Sequence, residues 1–418
     1  MERPPQMAAS DSYPPVLEEV ARLAGSPEAR AAFDRFRSQE SQFAQWQMEA
    51  TRVAAPPFGE VARGLWLAER FRELGLTGVQ VDEVGNVFGV RPGYGSRFVA
   101  LSAHIDTVFP AATPLNIRQE GSRLYGPGVA DNGAGIAAML AVASVLANAR
   151  ISHALPFVFI GNVGEEGEGD LRGMRHVFAT PRWRDAIAYS VVVDGAGADT
   201  VVAQALGSRR FEVIVRGPGG HSWSDFGAPH PIIVLSRAID TLSQTPVPAS
   251  PKTTFNVGVI RGGTSVNSIP ESASMRVDLR STSMAEIDRL ERALRVALHQ
   301  AVASENRAAA QHGTRKPQTV QSEVIEIGNR PAGELAPDAR LLKVIRAVDA
   351  QLGNAAQVQR ASTDANIPLS LGREAIAIGG GGSGGGAHTL QEWFDCNGRD
   401  LGLRRILLTM LALAGVGE

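Results

Sequence analysis

The feature that most constrains the fold of this sequence is a change in the period of its hydrophobic pattern. Residues 87–90, 98–102, 156–160 and 190–193 form short, nearly continuous apolar runs, and the small-residue stretch 134–149 between them reads as a helix. Strands that are apolar on both faces belong in a sheet with helices packed on either side. From about Gly207 the period becomes two. Residues 209–216 (RRFEVIVR), 253–260 and 272–279 alternate polar and apolar side chains, as strands with one wet face do. Helical patterns over 231–243 and 285–309 accompany them, the latter with Ile287, Leu290, Leu294 and Leu298 at helical spacing. Near Ala332 the first pattern resumes, with a helix over 340–352 and a strand over 374–378. A chain of 418 residues is too long for one compact core. The expectation is an α/β domain built from residues 1–206 and 329–418, its sheet mixed but mainly parallel, interrupted by an inserted α+β domain at 207–328.

Charge and cysteine usage narrow the function classes. With 41 basic and 43 acidic residues the formal net charge is −2, which argues against nucleic acid or an anionic membrane surface as the main partner. Cys396 is the single cysteine, so an internal disulfide and a cysteine-based zinc site are both excluded. Any metal must be held by His, Asp and Glu. Residues 1–15 carry prolines and charges where a signal peptide would have an apolar core. Residues 406–416 are apolar but too short to span a bilayer, and read as a buried C-terminal helix. A cytoplasmic protein is the expectation.

The chemistry-bearing residues stand where the apolar strands end. His104 and Asp106 leave the 98–102 strand two apart and point the same way, so Asp106 can hold the far nitrogen of a metal-bound His104. A strand-end histidine beside a solvated aspartate is the plain alternative. Asp131 opens the small-residue helix in a glycine-rich turn, where by itself it reads as an N-cap; no phosphate-binding glycine motif is present. Glu165 and Glu166 follow the 156–160 strand. Adjacent carboxylates repel unless a cation lies near, although a solvated acidic loop would also carry them. Asp194 ends the 190–193 strand, and His388 follows the turn Gly379 to Gly386, GGGGSGGG, read as a tight link from strand to helix. Gly381, Ser383 and Gly385 spell a serine-hydrolase elbow, but the only later histidine is His388, with no acid between. Backbone amides of this turn, Gly385 among them, are better suited to a close approach of substrate. Two histidines and several carboxylates at the carboxyl ends of strands suit zinc, and also cobalt or manganese.

Taken together, Ser102-Ala103-His104-Ile105-Asp106, Gly128-Val129-Ala130-Asp131-Asn132, Gly164-Glu165-Glu166-Gly167, Val193-Asp194-Gly195, Gly220-His221-Ser222, Asn267-Ser268-Ile269-Pro270 and Ala387-His388-Thr389 resemble the co-catalytic zinc peptidase family. That family includes glutamate carboxypeptidase, acetylornithine deacetylase, succinyl-diaminopimelate desuccinylase and the bacterial di- and tripeptidases, with tripeptidase-like members the nearest in pattern. The resemblance runs from about residue 60 to the end. It implies two Zn²⁺ per subunit, or Co²⁺ or Mn²⁺, bridged by Asp131, with His104 and Asp194 on one ion and Glu166 and His388 on the other. It places Glu165 as general base, makes the Asp131–Asn132 peptide cis, and casts the inserted domain as a lid that also forms a homodimer. His221 would enter the partner subunit's active site and help hold the oxyanion, while Asn267, Arg280 and Asp364 would meet substrate. The implied substrate is a small peptide or N-acyl amino acid, with a di- or tripeptidase-like aminopeptidase ranked ahead of a carboxypeptidase or deacylase. A metal-binding homologue that no longer hydrolyses is the non-catalytic alternative, and the presence of Glu165 speaks against it.

Overall fold

The computed structural model describes residues 14–148, 151–312 and 319–415. Residues 1–13, which hold most of the segment judged unlike a signal peptide, lie outside the described residues. The chain divides into two units, Met1–Gln204 with Glu334–Glu418 as the first and Ala205–Gly333 as the second.

The continuous apolar runs become the middle of a mixed sheet. Phe157–Asn162, Phe98–His104, Ile187–Val193 and Glu374–Ile378 lie side by side and parallel. Antiparallel strands flank them: Val87–Arg91 and then Thr77–Val81 on one side, Thr200–Ala205 on the other. Every residue of Phe157–Asn162 is buried, as is every residue of Phe98–His104 after Phe98. Burial on both faces is why these strands show no alternation. The helix Gly133–Asn148 is buried along nearly its whole length, so its small residues let it lie close to the sheet. Its neighbours include Phe98–His104 and the N-terminal helix Glu40–Arg52. Parallel strands end at one edge, and four chain exits therefore converge there.

The glycine turn departs from its expected form. Residues 389–394 are not helical. Ser383–Gly385 and Trp393–Asp395 are short antiparallel strands joined to Arg123–Tyr125, and the helix begins only at Arg399. Glu392 is turned fully inward and Phe394 is completely buried, a two-residue spacing that a strand satisfies and a helix does not. The C-terminal helix Arg399–Ala414 is buried from Leu403 onward apart from Arg404. Among the described residues no helix is long and apolar enough to cross a membrane.

The second unit has its own core. Four antiparallel strands in the order Thr253–Gly262, Ser272–Ser281, Gly207–Arg216, Gln321–Arg330 carry the helices Pro231–Ser243 and Met284–Gln311. Phe211, Val213, Val277 and Leu279 from the sheet pack with Leu290 and Leu294 from the long helix. The unit runs past the predicted limit of 328 because Gly207–Arg216 pairs with Gln321–Arg330 as far as Ser208 and Arg330.

In the first unit, Arg405 on the C-terminal helix donates through Nε and Nη2 to both oxygens of Asp349, at 2.6 and 2.9 Å, and both residues are buried. Breaking a buried pair strands the remaining charge. Asp349→Ala is expected to lower unfolding stability by about 3–5 kcal/mol, read from denaturant midpoints at unchanged m-value.

Candidate metal centre

His104 is the last residue of its strand and stands in register with Asn162 on the neighbouring strand. Its Nδ1 faces Asp106, 3.2 Å from the backbone oxygen and 3.6 Å from Oδ1. Nε2 is thereby turned toward Asp131 Oδ1 at 3.1 Å and Asp194 Oδ1 at 3.8 Å. Asp106, fully buried, also accepts the backbone N–H of Glu165 at 3.0 Å and of Glu166 at 2.8 Å. One carboxylate thus orients the histidine and holds the acidic loop, a second role that spacing along the sequence does not reveal.

Across the site His388, with a left-handed backbone at φ 63°, directs Nε2 at Asp131 Oδ2, 3.1 Å away, and at Glu166 Oε1, 3.0 Å away. The Asp131–Asn132 peptide is cis. Asn132 is fully buried: its amide donates to the Val193 carbonyl at 2.9 Å, and its Oδ1 accepts from Gly195 at 3.0 Å and Gly135 at 3.1 Å. It ties the Asp131 turn to the strand end that carries Asp194. Behind Asp106, the buried Arg63 donates to the carbonyls of Ile105 at 2.9 Å and Val53 at 2.6 Å. From the N-terminal helices, Gln47 donates to the Val129 carbonyl at 2.5 Å. Asn132, Arg63 and Gln47 do not stand out in the sequence; of the three, only Asn132 carries a local signal, as an Asn at the entry to a helix.

The donor atoms form three overlapping groups, His104 with Asp131 and Asp194, His104 with Glu165 and Glu166, and Asp131 with Glu166 and His388; within each, the atoms lie within 4.8 Å of one another. Both imidazole Nε2 atoms face more than one carboxylate, which a single proton cannot satisfy. Asp131 Oδ1 is buried, and among the described residues it has no well-aligned hydrogen bond although His104 Nε2 lies 3.1 Å away. A cation among these oxygens and nitrogens removes the repulsion, and the all-N/O donor set suits zinc, cobalt or manganese. For the metal-free chain protons must do that work. Burial disfavours charge on His104, but the carboxylates of Asp106, Asp131 and Asp194 facing the ring outweigh it and hold it well above its usual value. The Asp131 carboxylate lifts His388 to about 9. Burial raises Glu166, while for Asp131 the two imidazoles overcome burial and depress the carboxyl.

The other expected residues divide. Gly385 lines a cavity of about 630 Å³ together with Asp131, Ala196, Ser383 and Gly386; a Cβ there would meet the Trp393 indole nitrogen at 2.9 Å. Asp364 lies between the strand Gln357–Ala361 and the short helix Asn366–Ser370. It is fully buried, accepts from the Asn162 amide at 2.6 Å, and burial pushes its carboxyl up to about 7. The Asn162 amide that it meets stands three residues before Glu165, a contact that the turn-like segment 362–366 does not disclose. His221, Asn267 and Arg280 belong to the second unit. His221 is exposed, and its Nδ1 accepts the Trp223 N–H at 3.2 Å, which leaves Nε2 to carry the proton of the neutral ring. Asn267 is exposed and accepts the Ser265 hydroxyl. Arg280 pairs through Nε with Asp278 at 2.5 Å.

Residues 100–411 match the Peptidase family M20/M25/M40. A "Probable carboxypeptidase" of Aspergillus clavatus is 33% identical over 203 residues, 44% of this chain and 44% of that protein. A succinyl-diaminopimelate desuccinylase of Nitrosococcus oceani is 30% identical over 232 residues, 51% of this chain and 61% of that protein. The chain therefore spans about half the length of the curated relatives it matches. The crystal structure of aminopeptidase PepT from Bacillus cereus superposes with a TM-score of 0.72 at 19% identity, covering 90% of this chain and 99% of that one, a likeness of fold.

The charge states give a signed pH dependence. Raised above the ordinary histidine value of 6.5, the His388 proton stabilises the metal-free fold fully below pH 6.5, and that contribution is lost as pH rises through about 9. Metal binding requires the bare imidazole. Adding Zn²⁺ to metal-free protein at pH 7 is expected to release protons, and its apparent affinity to climb toward pH 9. Calorimetry in buffers of different ionisation enthalpy measures the release, and melting of metal-free samples between pH 6 and 10 measures the stability.

Proposed function

The chain belongs to Peptidase family M20/M25/M40, and from that membership we propose that it is a metal-dependent hydrolase of peptide or other linear amide bonds in small substrates. The observation that carries the reading is the meeting of two ligand groups, His104–Asp131–Asp194 and Asp131–Glu166–His388, that share Asp131. These five residues would hold two divalent ions, zinc in the first instance, with Asp131 common to both. Such a pair supplies Lewis acidity, polarising the scissile carbonyl and lowering the pKa of water toward about 7.

The remaining chemistry falls to the chain's own groups. Glu165 is buried beside His104 and Glu166, and its backbone N–H is held by Asp106. As general base it takes a proton from the attacking water while the water oxygen bonds to the amide carbon. It then hands that proton to the nitrogen as the C–N bond breaks, so one water is consumed and an amine and a carboxylic acid leave, the acid's proton passing to the amine or to solvent. Asp106 keeps the His104 proton on Nδ1, which leaves Nε2 as a ligand.

Within the class, a di- or tripeptidase-like aminopeptidase is the first choice. The relatives named as a carboxypeptidase and a desuccinylase favour carboxypeptidase or N-acyl-amino-acid deacylase activity as the second. The proposal includes a cytoplasmic homodimer formed through the second unit, whose strand Thr253–Gly262 pairs on one side only among the described residues. It also includes His221 as an oxyanion donor, with Asn267 and Arg280 as substrate contacts.

Hydrolysis of a panel of di- and tripeptides with free or acetylated amino ends, with added Zn²⁺, Co²⁺ or Mn²⁺, tests the activity and ranks the substrates. Glu165→Gln is expected to cut turnover about 10²–10⁴-fold while metal content stays at the wild-type level. An E165Q variant that turns over normally would remove Glu165 from the mechanism, and no cleavage across the panel would leave the metal-binding module as the better reading.

A further inference from the structure

Glu392 is a buried carboxylate that the chemistry above does not use. It is 0% exposed, and no salt bridge to it forms among the described residues. Its oxygens accept only backbone N–H groups: Oε2 from Gly128 at 2.7 Å, Oε1 from Ala130 and Asp131, each at 2.7 Å. The Gly126 N–H donates to the Glu392 backbone carbonyl at 2.9 Å. The turn 126–131 therefore gives four N–H groups to one residue some 260 positions away, and that residue lies four beyond His388. Taking an unpaired carboxylate out of water costs several kcal/mol, and short N–H bonds to a charged acceptor are the compensation. Were satisfying the turn the only requirement, a neutral acceptor or solvent would serve.

We propose that Glu392 is a positioning residue that fixes Asp131, through the backbone of its turn, against the segment that carries His388. The Asp131 N–H is itself one of the clamped groups, so the clamp sets the peptide plane from which the Asp131 side chain springs. Asp131 lies 3.1 Å from both His104 Nε2 and His388 Nε2 and belongs to two of the ligand groups. A carboxylate on the His388 segment that grips the Asp131 turn therefore ties the two ends of the centre together. The consequence for metal binding rests on the di-metal reading given above; the clamp itself does not.

Glu392→Gln keeps size and shape but sets an amide NH₂ against backbone N–H donors. In metal-free protein, hydrogen exchange is expected to speed up for the amides of Gly128, Ala130 and Asp131, with the helix Gly133–Asn148 unchanged. Chelator competition with Zn²⁺ is expected to show both equivalents weakened about 10–100-fold. Added Zn²⁺ should restore most of the turnover at an unaltered KM. Glu392→Asp, which keeps the charge, should recover part of the affinity, and it carries the same measurements if E392Q does not fold. Wild-type exchange at these amides, or wild-type Zn²⁺ affinity in a folded variant, would overturn the positioning role. A wild-type protein that holds no divalent ion would instead overturn the di-metal reading, while the exchange arm still decides the clamp.

Discussion

Two imidazoles face opposite oxygens of one carboxylate, and much of the first unit serves to keep them there. His104 and His388 both stand 3.1 Å from Asp131, and each also faces a second acid, Asp194 or Glu166. Unit charges about 4 Å apart interact by roughly 4 kcal/mol at an effective dielectric near 20, so carboxylates gathered this closely oppose folding unless positive charge joins them. Protons on the histidines or divalent ions between the ligands are the two available sources, and they compete for the same Nε2 atoms. On the proposed di-metal reading, the site would hold protons when metal is scarce and metal when it is not.

Such crowding needs a scaffold that is stable for other reasons. The four parallel strands are apolar on both faces and satisfy their own backbone groups, so they can aim four loops at one edge without help from the acids. The loops are then braced by buried polar contacts. Asp106 accepts the two N–H groups of the acidic loop, Asn132 links the Asp131 turn to the Asp194 strand end, and Arg63 places a buried cation behind Asp106. Each brace joins residues far apart in sequence, and together they give the donor atoms their separations.

That division explains what can be read in the sequence. The central strands and the helix Gly133–Asn148 are visible because burial writes itself as continuous apolar or small residues. The antiparallel unit is visible because one wet face writes itself as alternation. Of the proposed ligands, His104, Glu166, Asp194 and His388 stand out because each comes after a strand, whereas Asp131 opens a helix. The braces do not, since a hydrogen bond between Glu392 and Gly128 leaves no trace in local composition. Glu392 and Trp393 fall in a stretch that looks helical, where the inward turn of Glu392 and the pairing of Trp393 with Tyr125 override local propensity. The burial of Asp364 is hidden for a related reason: position on a turn says nothing about the direction of a side chain. The helices Pro14–Gly25, Pro27–Ser38 and Glu40–Arg52 carry no motif, yet Gln47 on the last of them holds the Val129 carbonyl two residues from Asp131.

The second unit poses a different energetic question, because Arg280 is already paired. Its Nε donates to Asp278 Oδ2, while Asp278 Oδ1 is taken by Arg210 at 3.2 Å. Were Arg280 to bind a substrate carboxylate, Asp278 would keep its second partner and would not be stranded. The side chains of Arg280 and Asp278 are 41% and 26% exposed, and pairs of this kind are worth only about 0–1 kcal/mol. Exchanging Asp278 for a carboxylate that both guanidinium edges can grip is therefore nearly free on the protein side. On the proposed reading of Arg280 as a substrate contact, the existing ion pair would offer its guanidinium to an anion at little cost rather than block it.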